Sequence, residues 1–420
     1  MTNTTAPTPA GGVPLRQDAG VIGLVGIAHM VSHFSQLLLA PLFPWLKDAF
    51  NVSYAELGFL MTLFFVTSCV VQATSGFVVD RFGPRPVLFG GLALLAAAAF
   101  GYAASTSYWM LAMFSIVAGV GNGVFHPVDY TLLNRKVSPK RLGHAYSVHG
   151  ITGSLGWALA PAMLVPITIA SSWRVALVCA GAYAVVVLVV LLVNRSQLAL
   201  GAPAAEKAPT SGAPGAAAEG NFGFLRIPAV WMCFAFFFFY AIALGIVQAF
   251  APGAARELHA VLLATAGLCV TVYMVCSAGA MVLGGFLAAD PTRCEKLVAV
   301  GFGFSACVAL VLGVASVPAL LVPVMFGLMG LGAGIAGPSR DMIVKRATPP
   351  NASGRVYGVV YSGLDIGQAI APLIFGTLMD HRQYSAIFIG LALVQAVLIG
   401  SAFNVGRVRR TALAPMAASA

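Results

Sequence analysis

Three groups of polar residues in this chain have the types and spacing to move protons or to hold a small molecule. Asp365 has Tyr361 four residues before it and Gln368 three after, so a helix would carry all three on one face. A carboxyl group in such an apolar stretch is a candidate proton acceptor and donor, or a structural hydrogen bond to a neighbouring helix. His29, His33 and Gln36 fall on one helical stripe, and Asn122, His126 and Asp129 fall on another, with Pro127 placed to loosen the helix between them. Imidazoles carry protons near neutral pH or hydrogen-bond a ligand, and a histidine satisfied inside a helix bundle is the plainer alternative for each. His149, Gln72, Tyr240 and Tyr273 add further polar groups in apolar runs.

Composition says what positions them. The chain is 59% hydrophobic and 9% charged, with a mean hydropathy of +0.91. A soluble domain carries about a quarter charged residues, so this is an integral membrane protein. An ionisable group inside a bilayer costs roughly 2.5 to 3.5 kcal/mol on insertion scales, which makes the polar stripes candidates for a cavity. The net charge of +10 comes from Lys and Arg in short segments between apolar runs, which fits membrane topology and gives no reason to expect nucleic acid as a partner. The seven cysteines lie scattered in apolar runs without paired spacing and read as small buried residues, neither disulfides nor a metal site.

Runs long enough to cross a bilayer lie near 21–46, 54–79, 86–104, 109–134, 144–169, 173–195, 228–252, 259–288, 296–316, 318–345, 355–380 and 384–405. The expected division is a disordered lead-in (1–20), a six-helix half (21–195), a flexible linker (196–227), a second six-helix half (228–405) and a tail (406–420). The linker is rich in Ala, Pro and Gly and buries too little apolar surface to fold. With both termini placed in the cytoplasm, nineteen of the 23 Lys and Arg residues fall on inside segments. The remaining four, Lys47, Arg174, Arg256 and Arg382, fall outside, so the bias favours an inner membrane protein with both ends in the cytoplasm.

The halves repeat one another. Gly119, Gly121, Gly123, Pro127, Pro139, Gly143, Tyr146, Gly156, Ala160 and Pro161 recur in one register as Gly330, Gly332, Gly334, Pro338, Pro350, Gly354, Tyr357, Gly367, Ala371 and Pro372. Glycine and proline held together in register indicate an internal duplication with its seam at the linker. In that register Asp129 matches Arg340, and such a pair could meet across the halves as a gate made in one state and broken in another.

The loop after the second run reads Gly76-Phe-Val-Val-Asp80-Arg81-Phe-Gly83-Pro-Arg85. It resembles the G-x-x-x-D-R-x-G-x-R signature of the major facilitator superfamily, and the resemblance extends over nearly the whole chain outside the termini and linker. The residues themselves suggest a role: Gly76 for close approach of a neighbouring helix, Gly83 for a tight turn, and Asp80 with Arg81 and Arg85 for a charge cluster that locks against the opposite half. The resemblance implies an all-α fold of twelve transmembrane helices in two pseudo-symmetric halves, a monomer, and a substrate site near mid-membrane. Gly119-x-Gly-x-Gly-x-Phe-His126-Pro127 resembles the fosmidomycin-resistance branch of exporters. Two positions depart from proton-coupled drug exporters: Ser115 stands where they carry an arginine, and Gly156 to Pro161 keeps part of their G-x-x-x-G-P pattern.

Three functions remain open on this reading: proton-coupled export of a small hydrophobic or amphiphilic compound, proton-coupled uptake of a small organic anion with Arg340 or a histidine at its charge, and ligand sensing without turnover. The sequence has no phosphate loop, ATP motif, metal-ligand spacing or nucleophile triad, so an enzyme, a cofactor or a metal is not expected.

Overall fold

The computed structural model describes residues 15–200, 228–287, 293–347 and 353–417. The expected disorder of residues 1–14 and of the linker at 201–227 falls outside the described residues, whereas residues 15–20, also expected to be disordered, are helical and open span one, where Asp18 is held by Ser138 and Arg141.

Among the described residues, twelve helical segments are long and apolar enough to cross a membrane, and the fold is all-α. Serines start several of them. Ser53 and Glu56 form a reciprocal capping box at the head of the second span (Tyr54–Phe82), and Ser107 and Ser172 cap the fourth (Tyr108–Lys136) and sixth (Trp173–Val193). Gly83 turns the chain from the second span into the third (Pro84–Ala104) with a φ of 81°, a conformation that favours glycine.

Spans three and six pack on one another, as do nine (Cys294–Val314) and twelve (Tyr384–Asn404). The two halves meet chiefly through span two against eleven (Val360–Asp380) and span five (Pro139–Ala170) against eight (Leu263–Leu287). The duplicated glycines account for the tight packing inside each half. A Cβ at Gly119 or Gly123 would strike the backbone of span two at Phe64 or Ser68. Their repeats, Gly330 and Gly334, lie in the same way on Tyr273 and Ser277 of span eight.

The halves are joined at one end. Asp380 accepts from the amides of Tyr54 and Ala55 at 2.7 and 2.9 Å, placing a carboxylate of one half on a helix N-terminus of the other. Thr62 donates to the carbonyl of Ala369 at 2.6 Å, and Thr271 to that of Ala158 at 2.8 Å. Toward the other end, the space beside Gly76, Gly143, Gly150 and Gly279 is open.

This corrects two expectations about the loop after span two. Gly76 does not bring a helix close, because nothing lies within 4 Å of where its Cβ would stand. Asp80 and Arg81 are exposed, and among the described residues neither forms an ion pair. Arg85 instead reaches the carbonyl of Arg195 at 3.4 Å, within its own half. In this conformation the loop meets no opposing charge among the described residues. Gly83 keeps its expected turn.

Candidate functional site

Span four is broken at its centre. Its helix stops at Asn122 and restarts at Phe125, and Pro127, which has no amide proton, lies on the first turn of the second piece. The break sets Asn122 and His126 side by side against span one (Leu15–Phe50). Ser32 donates to Asn122 Oδ1 at 2.7 Å, and Asn122 Nδ2 donates to Ser68 at 2.9 Å. Gln36 reaches the same Asn122 oxygen at 3.4 Å and accepts from Trp157 Nε1 at 2.9 Å.

One turn further along, Asp129 is fully buried beneath two imidazoles. Its Oδ2 lies 3.0 Å from His29 Nδ1 and 3.1 Å from His149 Nε2. A carboxylate only accepts, so both rings present N–H to it. The His29 and His149 rings stack at 3.5 Å between centroids, and His33 sits 4.3 Å from His29 and 4.2 Å from Trp157. The two sequence stripes are thus one wall, with His149 added from span five. The expected pairing of Asp129 with Arg340 is absent from this conformation, because Asp129 is turned into its own half and occupied by histidines.

Gln72 carries this wall across to the second half. Its Oε1 is 2.8 Å from His126 Nδ1, and its Nε2 donates to Asp365 Oδ2 at 3.1 Å. Asp365 is therefore not alone: it holds a hydrogen bond between the halves. Its two face-mates turn elsewhere. Gln368 donates to Gln248 at 3.2 Å, and Tyr361 packs on Phe237 at 5.1 Å. Arg340 lays its guanidinium over Tyr240, 4.5 Å from the ring centre, and 5.4 Å from that of Phe237.

Sequence reasoning missed Gln248 and the closing role of Trp157; the match of Trp157 to Gln368 in the repeat register was the available signal. It also saw no metal-ligand spacing. The structure nonetheless brings donor atoms of His29, His33 and His126 within 4.8 Å of one another, and likewise those of His29, Asp129 and His149. His29 and His33 do stand at i and i+4 on span one, but His126 and His149 come from spans four and five, and ligands drawn from different spans leave no spacing signature. Ser115, in the position of the exporters' arginine, accepts from Tyr102 of span three at 3.0 Å and so faces span three, away from the histidine wall.

The Major Facilitator Superfamily model matches residues 25–259 and 232–415, and the chain belongs to that family. It is a multi-pass membrane protein. A solved bacterial homologue of the human lysosomal transporter Spinster, inward-facing and unoccupied, superposes with a TM-score of 0.75 at 14% identity, covering 95% of this chain and 98% of that one. The chain is 28% identical over 159 residues to the multidrug resistance protein B homologue of Mycobacterium tuberculosis, covering 36% of this chain and 29% of the relative. It is 27% identical over 174 residues to the fosmidomycin resistance protein of Escherichia coli, covering 38% and 41%. These matches span less than half the length of either relative.

Proposed function

We propose that the protein exports a small hydrophobic or amphiphilic compound in exchange for protons, by alternating access of a cavity between its halves. The observation that carries this reading is the Asp365–Gln72 hydrogen bond between the halves. An ionised carboxylate accepts a charge-assisted bond, which is roughly twice as strong as a neutral one. Protonation of Asp365 therefore loosens the contact between the halves, and the proton is coupled to their rocking. His126 and Gln36 would line the cargo's path. With both termini in the cytoplasm of an inner membrane protein, as the Lys and Arg bias favours, the open end faces inward. Both relatives above are resistance proteins by name, which fits export, including export of the fosmidomycin-resistance kind. A monomer suffices, because each half supplies one wall.

A second reading, uptake of a small organic anion, draws on Arg340, whose guanidinium lies over Tyr240 and at only intermediate burial. Everted vesicles separate the two. Energised vesicles holding the protein should leak protons when a cargo is added, and vesicles with Asp365→Asn should not. If no compound in a broad panel disturbs the gradient while labelled organic anions enter whole cells, uptake replaces export. If neither flux exceeds that of empty vesicles while a compound still binds, the protein is a sensor.

A further inference from the structure

We propose that His29, His33 and His126 form a binding site for a divalent transition-metal cation of the zinc and cobalt class on the cavity wall. Their donor atoms lie within 4.8 Å of one another. Tetrahedral zinc, with bonds of about 2.0 to 2.1 Å, needs nitrogens roughly 3.4 Å apart, so ring shifts of about 1 Å would close the site.

Each ring is already set for the task. His29 Nδ1 donates to Asp129 and His126 Nδ1 donates to the Gln72 carbonyl, which leaves the Nε2 lone pair of both rings available. This is the arrangement in which an outer carboxylate or carbonyl fixes the tautomer of a metal-binding histidine. The second observation is independent. His33 is buried, and apart from a contact with the Gly153 backbone neither of its ring nitrogens has a hydrogen-bonding partner among the described residues. A Cβ at Gly153 would lie 2.8 Å from His33 Nδ1 and 3.1 Å from His29 Nε2. The missing side chain there is what lets those two nitrogens face one common space.

Three imidazoles suit zinc, cobalt, nickel or copper and not magnesium or calcium, which take oxygen ligands. Three protein ligands also leave a position for water or for a donor atom of the cargo. The alternative group of His29, Asp129 and His149 is less suited, because a metal there would displace both hydrogen bonds to Asp129. This site goes beyond the transport reading, since equilibrium binding needs no gradient and no cargo.

The test is calorimetric titration of the full-length, metal-stripped protein in lipid nanodiscs with zinc chloride, with X-ray absorption on the zinc-loaded sample. The expected result is one zinc per chain, three imidazole nitrogens in its shell, and no heat with magnesium. His33→Gln should weaken binding more than 100-fold and Asp129→Asn about 10- to 100-fold, while His144→Gln, on the exposed end of span five, should change nothing. The absence of saturable one-to-one binding would overturn the proposal, as would unchanged affinity in His33→Gln. Should that variant fail to fold, the X-ray absorption of the native protein decides, and cysteine sulfur or fewer than two imidazoles in the shell would overturn the site.

Discussion

His29 and Asp129 touch between spans one and four, and Tyr240 and Arg340 touch between spans seven (Val230–His259) and ten (Ala319–Arg340). In the register that pairs Gly119 with Gly330, these are the same two positions. One half sets a carboxylate under imidazoles, and the other sets a guanidinium over a phenol ring. Around them the halves diverge further. His33, Gln36, Asn122 and His149 correspond to Leu244, Val247, Ala333 and Val360, while Asp365 corresponds to Ser154. The backbone frame is shared, and the hydrogen-bonding wall is built almost entirely on the first half. The difference teaches that duplication supplied the geometry and later substitution supplied the chemistry.

The largest expected contrast tests that asymmetry directly. Asp365→Asn should reduce proton-coupled flux to the level of empty vesicles, whereas Ser154→Ala at the matching position should leave it within about threefold, a change worth less than 1 kcal/mol. Equal loss in both would mean that the halves contribute alike. The shared frame is tested by Gly119→Ala and Gly330→Ala. Each drives a methyl group into a neighbouring backbone, and each should cost about 1 to 3 kcal/mol in thermal unfolding. Gly76→Ala, with open space around it, should stay within about 0.5 kcal/mol and affect only turnover.

Asp129→Ala and Arg340→Ala compare the matched pairs themselves. The first leaves two buried imidazoles without their acceptor, at about 1 to 3 kcal/mol. The second removes a cation from an aromatic face, at about 0.5 to 2 kcal/mol. Urea unfolding in detergent that ranks Arg340 above Asp129 would reverse the asymmetry. The smallest effect is expected at the sealed end. Asp380→Asn keeps the shape and removes the charge from the head of span two, worth about 0.3 to 1 kcal/mol. Maleimide labelling of a cysteine introduced at Ser147, near the open end, should slow by up to about fivefold as the equilibrium shifts away from this state.

The fold was legible because its signals are local or repeated. Apolar length marks each span, serine marks several starts, and glycine with proline in register marks the duplication. The stripes His29–His33–Gln36 and Asn122–His126–Asp129 were legible for the same reason, since a helix face is written in one stretch of sequence. Which stripe faces which was not. Repeat symmetry suggested Arg340 for Asp129, but symmetry relates positions without bringing them into contact, and the partners came from spans one and five. Asp380 was unreadable in the same way. At the end of span eleven it looks like an ordinary helix terminus, and its role depends on a helix that starts 326 positions earlier in the chain. The grouping of His126 with His29 and His33 was hidden for the same reason: His29 and His33 stand four apart on span one, and the third imidazole comes from span four, with no spacing in sequence to announce it.

The glycine contacts have a consequence for how such a protein can change. Where Gly119 rests on Phe64 and Gly330 on Tyr273, the helices meet main chain to main chain. A joint of that kind depends on the absence of a side chain at one residue and is indifferent to the identity of most others. A few fixed glycines therefore hold the frame by themselves, and the wall positions beyond them, His126 and Asp129 in one half and Gly337 and Arg340 in the other, can change at the cost of their own contacts alone. A descendant of this chain could acquire a new cargo by a handful of substitutions on that wall, while any lineage that filled Gly119 would have to move span four off the main chain of span two.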